Sequence, residues 1–303
     1  MRNNIANIRT DLAVESREIF TEDNVEIKGV ELKEKTLSQG RIKVTEMVIT
    51  DDNGAEVMGK PKGMYITLES EMFCSGKDNE FDCAVDVLVE YIQKIMGNLK
   101  LDKTDTILIA GLGNVQATPD SLGPVTVDKI NIWNYVSEKC NKKVSCIIPG
   151  VMAKTGMESL EIIKGVSKEI KPDVIIAIDA LAARNVRRLN RTIQLTDTGI
   201  TPGSGVGNHR RGINRHTTNT PVIAIGIPTV IEVSTIVRDI MDKLIHLFEI
   251  NENFKQLTEG EKMQFVREIT EPEVGILYVT AKDIDENIRY MSDILSSALN
   301  KIV

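Results

Sequence analysis

An α/β fold is predicted here: an open, doubly wound, mostly parallel sheet with helices on both faces, plus an N-terminal β region. Two patterns predict it. Beyond residue 100, short β-branched apolar runs alternate with helix-length segments, as in a parallel sheet covered on both faces. Before residue 80, β-rich runs are separated by turn residues and read as strands. The 303-residue chain is 42% hydrophobic and 27% charged, enough to bury a sizeable core with little room for long disorder.

Within the N-terminal region, residues 44–50 and 64–68 are the clearest strands, and Asp51, Asp52, Asn53 and Gly54 read as a hairpin turn. Residues 81–99 then space Val85, Leu88, Val89, Ile92, Ile95 and Met96 at helical intervals. The expected strands of the main sheet are 106–110, 144–148, 174–178, 222–225 and 276–280. Helices are expected at 125–138, 158–170, 230–248 and 284–299, the third with a continuous apolar stripe from Val233 to Phe248. Residues 251–262 are polar enough for a surface connection. Residues 196–217 hold five glycines and three arginines without an apolar period, and a loop this long is more often functional than inert. The division expected is a β-rich region over 12–80 and an α/β core over 81–303.

Thirty-seven Lys and Arg stand against 44 Asp and Glu, a net charge of -7 that offers no general attraction to nucleic acid or anionic membranes. The first thirty residues carry Arg2, Arg9, Asp11, Glu15, Arg17 and Glu18 with no apolar run, unlike a signal peptide. No run is long enough to span a bilayer, so a cytoplasmic location is expected. The four cysteines fall in no CxxC spacing, and the three histidines in no HExxH pair. Neither a metal nor another cofactor is expected.

In open α/β sheets, ligands gather at the carboxyl ends of the strands. After the first expected core strand come Gly111 and Gly113, but a dinucleotide fingerprint needs a third glycine at position 116, which is Gln116. No P-loop occurs, and Ser204 lies in the glycine loop rather than at the strand exit a nucleophile elbow requires. What remains is a pair of carboxylates at two strand exits, Asp120 and Asp179. Asp179 ends the run Val174 to Ile178, where desolvation raises a carboxyl pKa. Facing carboxylates do not both ionise cheaply, so one can act as base while the other donates a proton. The residues equally admit a plain structural reading, with Asp120 capping a helix and Asp179 ending a strand in a satisfied turn.

The segments RTDLAVE (9–15), GMYITLE (63–69), GLGNVQATPDSLGP (111–124), IPGVMAKTG (148–156), PDVIIAIDALAAR (172–184), QLTDTGITPGSGVGN (194–208) and PVIAIGIPTV (221–230) together resemble the germination proteases of spore-forming bacteria. The resemblance implies a core fold similar to the hydrogenase-maturation endopeptidases, and an aspartate pair that corresponds to Asp120 and Asp179. It implies a zymogen that removes residues 1–11 by cutting between Asp11 and Leu12. It further implies small acid-soluble spore proteins as substrates, a location in the spore core and a homotetramer. Gly203, Gly205, Gly207 and Arg184 are expected in the substrate groove, since glycines admit a peptide closely and guanidinium binds carboxylates. Arg187 and Arg188 share that expectation, and solvated salt bridges explain all three arginines as well.

Two other functions stay open from the residues. One is a metal-dependent peptidase of the hydrogenase-maturation type, although the histidine ligand of those enzymes has no counterpart here. The other is a non-catalytic protein whose glycine loop holds a peptide or a phosphate.

Overall fold

The computed structural model describes residues 10–21, 27–101, 104–132, 143–207, 210–248, 261, 264–268 and 276–303. Their strands form one mixed sheet. Its order is β1 (Val30–Leu37), β2 (Ile42–Ile49), β3 (Gly63–Glu69), β7 (Thr192–Thr196), β8 (Val222–Glu232), β6 (Val174–Ala183), β4 (Thr106–Gly111) and β5 (Lys143–Ile147), with β9 (Tyr278–Val279) pairing β8 off this path. The strands from β8 to β5 are parallel, as the alternating pattern of the sequence requires. The expected N-terminal β region is the antiparallel wing of the same sheet, hydrogen-bonded onto β8 through β7.

Successive strand residues point to opposite faces, so each β-branched run feeds two cores. Ile107, Ile109, Ile176, Ile178, Ile223 and Ile225 face α3 (Asp78–Asn98), α4 (Leu122–Val127) and α9 (Ile284–Ile302). Leu108, Ala110, Ile175, Ala177 and Val222 face the other way, toward Leu160 and Ile163 of α6 (Ser159–Ile170). The stripe foreseen on α3 is the one buried, with Val85, Leu88, Ile92 and Ile95 all inaccessible. Each such burial stabilises the fold by about 1.5–3 kcal/mol. Helix α6 begins with a reciprocal capping box between Glu158 and Glu161.

Several expected elements change. Asp51 to Gly54 is the start of a helix, α2 (Asp52–Met58), rather than a hairpin turn. The Asp51 carboxylate accepts from the Gly54 N–H at 2.7 Å, and Gly59 ends the helix at φ 61°. Strand β8 continues to Glu232, so the helix expected from 230 starts three residues later as α8 (Val233–Phe248). The strand expected at 276–280 shortens to β9 and pairs antiparallel. The helix expected at 125–138 is overturned where it is described: α4 ends at Val127 with Asp128 as its cap and residues 128–132 are turn and coil, while 133–138 lie outside the described residues, as do 251–260 of the polar connection. Strand β6 runs five residues past its expected end. Opposite Leu181 and Ala182 its register with β8 slips, which leaves Thr229 of β8 unpaired. Such a bulge bends a strand and re-aims side chains next to a site.

Candidate active site

The turn after β4 carries Asp120 into position by close backbone packing. A Cβ on Gly123 would lie 2.4 Å from the Leu112 carbonyl oxygen and 2.6 Å from that of Ile178, the residue before Asp179. A Cβ on Gly113 would lie 2.0 Å from the Asp120 carbonyl oxygen. The glycines of GLGNVQATPDSLGP therefore press the 3-10 turn Thr118–Asp120 and the start of α4 against the middle of β6, a job unrelated to nucleotide binding. The Leu112 N–H donates to the Ile178 carbonyl at 2.8 Å and fixes the exit of β4 to the middle of β6, so Asp179 stands within its strand rather than at the strand exit expected from the sequence.

Asp120 and Asp179 line one cavity of about 320 Å³, shared with Gly113, Val151, Leu181, Gly203, Arg210, Thr229 and Tyr278, among others. Asp179 is 4% exposed. Burial pushes its carboxyl well above the usual range, the charges of Asp120 and Asp11 push the same way, and the Ala180 N–H and Arg210 oppose them. Its Oδ1 accepts from the Ala180 N–H at 3.0 Å. Asp120 is raised by burial as well, against a backbone N–H at Asn114 and the charge of Arg210. The charge of Asp120 thus adds to the rise at Asp179, and Arg210 opposes the rise at both.

The third carboxylate in this cavity is Asp11. Its Oδ2 accepts from the Ala182 N–H at 2.9 Å and its Oδ1 from Ser204 Oγ at 2.5 Å. The Asp11 N–H donates to the Ala182 carbonyl at 3.2 Å, a short strand-like contact with β6. The Asp11 carbonyl oxygen accepts from Lys60 Nζ at 3.0 Å and from Gln194 Nε2 at 3.2 Å. Leu12 and Val14 pack on Leu181 and Ile200, and Leu12 and Ala13 are fully buried. Helix α1 (Ala13–Thr21) is then tied down by Glu15, whose carboxylate accepts from the N–H groups of Arg184 and Asn185 at 2.7 and 2.9 Å. Burial raises the Glu15 pKa despite those bonds and the nearby Arg188.

A family model described as germination protease matches residues 7–256 of this sequence. The chain belongs to the germination protease family. Germination proteases of Clostridium tetani, Caldanaerobacter subterraneus and Bacillus subtilis are 44%, 38% and 37% identical to it. The aligned regions cover 97%, 98% and 97% of this chain and 94%, 94% and 92% of those relatives. Among solved structures, a NiFe hydrogenase maturation protease from Thermococcus kodakarensis matches with a TM-score of 0.35 and 13% identity. That match covers 69% of this chain and 98% of the other.

In this germination protease, Asp120, Asp179, Asp11 and Gly203 come together around the cavity, and Gly205 stands behind the Asp11 carboxylate, whose Oδ2 is 2.2 Å from where a Cβ would be. Gly207 ends the adjoining 3-10 turn Ser204–Val206 at φ 76° and does not itself line the cavity. Nor does Arg184, which meets the N-terminal segment through its backbone. Arg188 is buried and already paired. It grips Glu18 through two nitrogens at 2.5 and 2.6 Å, Glu69 at 2.7 Å and Glu15 at 3.5 Å. Sequence reasoning passed over Lys60, gave Gln194 no role beyond its place in a resembling segment, and noticed Ser204 and Arg210 without placing them at the site. Among the described residues no three His, Cys, Asp or Glu side chains gather as a metal-binding group, and no helix is long and apolar enough to cross a membrane.

Proposed function

We propose that this germination protease is a self-processing endopeptidase of aspartic type, in which Asp120 and Asp179 activate water. Its first cut falls between Asp11 and Leu12, and its later substrates are small acid-soluble proteins of the spore. The observation that carries the reading is the seating of Asp11 in the same cavity as both carboxyls, with its own carboxylate and carbonyl held by named donors. Burial and the charges of Asp120 and Asp11 favour the proton on Asp179, whereas at Asp120 the Asn114 N–H and Arg210 oppose the effect of burial, and we assign Asp120 as the base and Asp179 as the proton donor. The Asp11 pocket supplies the preference for an acidic residue before the cut. Ser204 and the Ala182 N–H donate to its carboxylate, and Gly205 leaves room for it.

The test is hydrolysis of a purified small acid-soluble protein by the processed enzyme, with and without a chelator, beside Asp120→Asn and Asp179→Asn. Cleavage after an acidic residue that survives the chelator and vanishes in both variants is the expected result. Loss of activity on chelation, restored by a divalent metal, would replace the aspartate pair with metal chemistry.

A further inference from the structure

We propose that Lys60 and Gln194 form the electrophilic side of the site, polarising the carbonyl of the residue before the cut. The inference rests on the reading that Asp11–Leu12 is the bond hydrolysed. It assigns a catalytic role to two residues outside the aspartate pair.

The sheet register sets the geometry. Thr67 of β3, Gln194 of β7, Gly226 of β8 and Asp179 of β6 are consecutive partners in one row across the sheet. Side chains of such a row project from the same face, so Gln194 and Asp179 rise together, two strand spacings or about 10 Å apart. Gly226 between them contributes no side chain, and the Leu181 side chain fills that place, with Cδ1 2.4 Å from where a Cβ would stand. Leu12 packs on Leu181. The bond after Asp11 is thereby laid over the gap between the acid pair on one flank and Gln194 on the other.

The Gln194 amide brackets Leu12, the residue after that bond. Its Nε2 donates to the Asp11 carbonyl at 3.2 Å, and its Oε1 accepts from the Ala13 N–H at 2.6 Å. Lys60 reaches the same carbonyl at 3.0 Å and the Thr10 carbonyl at 3.3 Å. It follows Gly59, whose left-handed φ of 61° turns the chain off α2. Burial lowers the Lys60 pKa while Asp11 and Glu15 oppose the shift, and its Nζ donates to the backbone carbonyls of Thr10 and Asp11. Donors held on the Asp11 carbonyl oxygen in a buried site stabilise negative charge there far more than they stabilise the resting amide.

In the step this implies, the water oxygen bonds to the Asp11 carbonyl carbon and its proton passes to the ionised carboxylate of the pair. The carbonyl π pair moves onto the oxygen held by Lys60 and Gln194. On collapse that pair re-forms the C=O bond, the C–N bond breaks, and the Leu12 nitrogen takes a proton from the acid pair. One peptide bond and one water become the Asp11 carboxyl and the Leu12 amine.

The experiment follows self-cleavage of the full chain by mass, alongside hydrogen exchange of the amides of residues 12–14, in wild type, Lys60→Met, Lys60→Arg and Gln194→Met. The expected result for Lys60→Met is a cleavage rate about 100-fold or more below wild type, the size of an oxyanion-donor deletion. Amide protection stays at the wild-type level, and Lys60→Arg recovers part of the rate. Gln194→Met loses rate in the same direction and decides the matter should Lys60→Met not fold. A Lys60→Met rate within a few-fold of wild type overturns the proposal. So does a slow rate accompanied by lost protection, which would make Lys60 a mere anchor of the segment. Failure of wild type to lose residues 1–11 would instead sink the cleavage reading beneath it.

Discussion

Gly205→Ala is the sharpest perturbation of the Asp11 pocket. The new Cβ would stand 2.2 Å from Asp11 Oδ2, 2.6 Å from Asp11 Cγ and 2.8 Å from the Ala182 Cβ. Ala182 belongs to β6 and cannot retreat cheaply, so the carboxylate must leave. Gly205 does not use a left-handed φ, hence alanine there carries a steric penalty without backbone strain. Displacement breaks the bonds from the Ala182 N–H and Ser204 Oγ. A hydrogen bond to a charged group contributes about 1.5–3 kcal/mol, so losing one strong or two weak bonds costs about 3 kcal/mol, roughly 150-fold in rate. The assay is the first-order loss of residues 1–11 by mass. The partner control is Asp11→Ala, on which Gly205→Ala should add little, because the two changes remove the same contact. Gly205→Ala processing at the wild-type rate would refute the pocket, and so would full additivity with Asp11→Ala.

Asp179→Asn is expected to stabilise the fold at neutral pH. A folded-state pKa raised above the usual 3.8 contributes stability that is fully present below that value and is lost as pH rises through the folded one. Thermal melts should therefore place the variant above wild type at about pH 7, with the gap closing toward about pH 4. The Asn oxygen keeps the bond from the Ala180 N–H; a variant less stable at both pH values would contradict the assigned burial cost. Arg188→Met removes the guanidinium that the buried Glu15 shares with Glu18 and Glu69. Breaking a buried pair from one side costs about 3–5 kcal/mol, which urea unfolding would register, and a change under about 1 kcal/mol would show the cluster to be idle.

The parallel strands were readable because Val174 to Ile178 and Val222 to Ile225 are continuous apolar runs that only a doubly covered sheet accommodates. The joining of the N-terminal wing was not. It depends on β7, whose residues Thr192 to Thr196 carry no long apolar run and whose partners lie more than a hundred positions away in β3. Asp51 to Gly54 misled for a local reason, since an Asx side chain bonding a backbone N–H two or three residues on serves a turn and a helix start alike. At the site, Asp120 and Asp179 stood out against the apolar runs before them, although Asp179 lies within β6 rather than at a strand exit. Lys60 and Gln194 carried no such contrast, because what they do is created only when residues 10–15 dock across the sheet. Arg188 had been a candidate for acidic substrate residues and instead holds acids of the chain's own α1 and β3.

The central claim, that Asp120 and Asp179 together cut the chain after Asp11, is tested most directly by the N-terminal mass after incubation at mildly acid pH. Wild type should begin at Leu12, while Asp120→Asn and Asp179→Asn, folded by circular dichroism, should retain Met1 to Asp11 intact. A wild-type terminus anywhere else, or a Leu12 terminus in either variant, would contradict it.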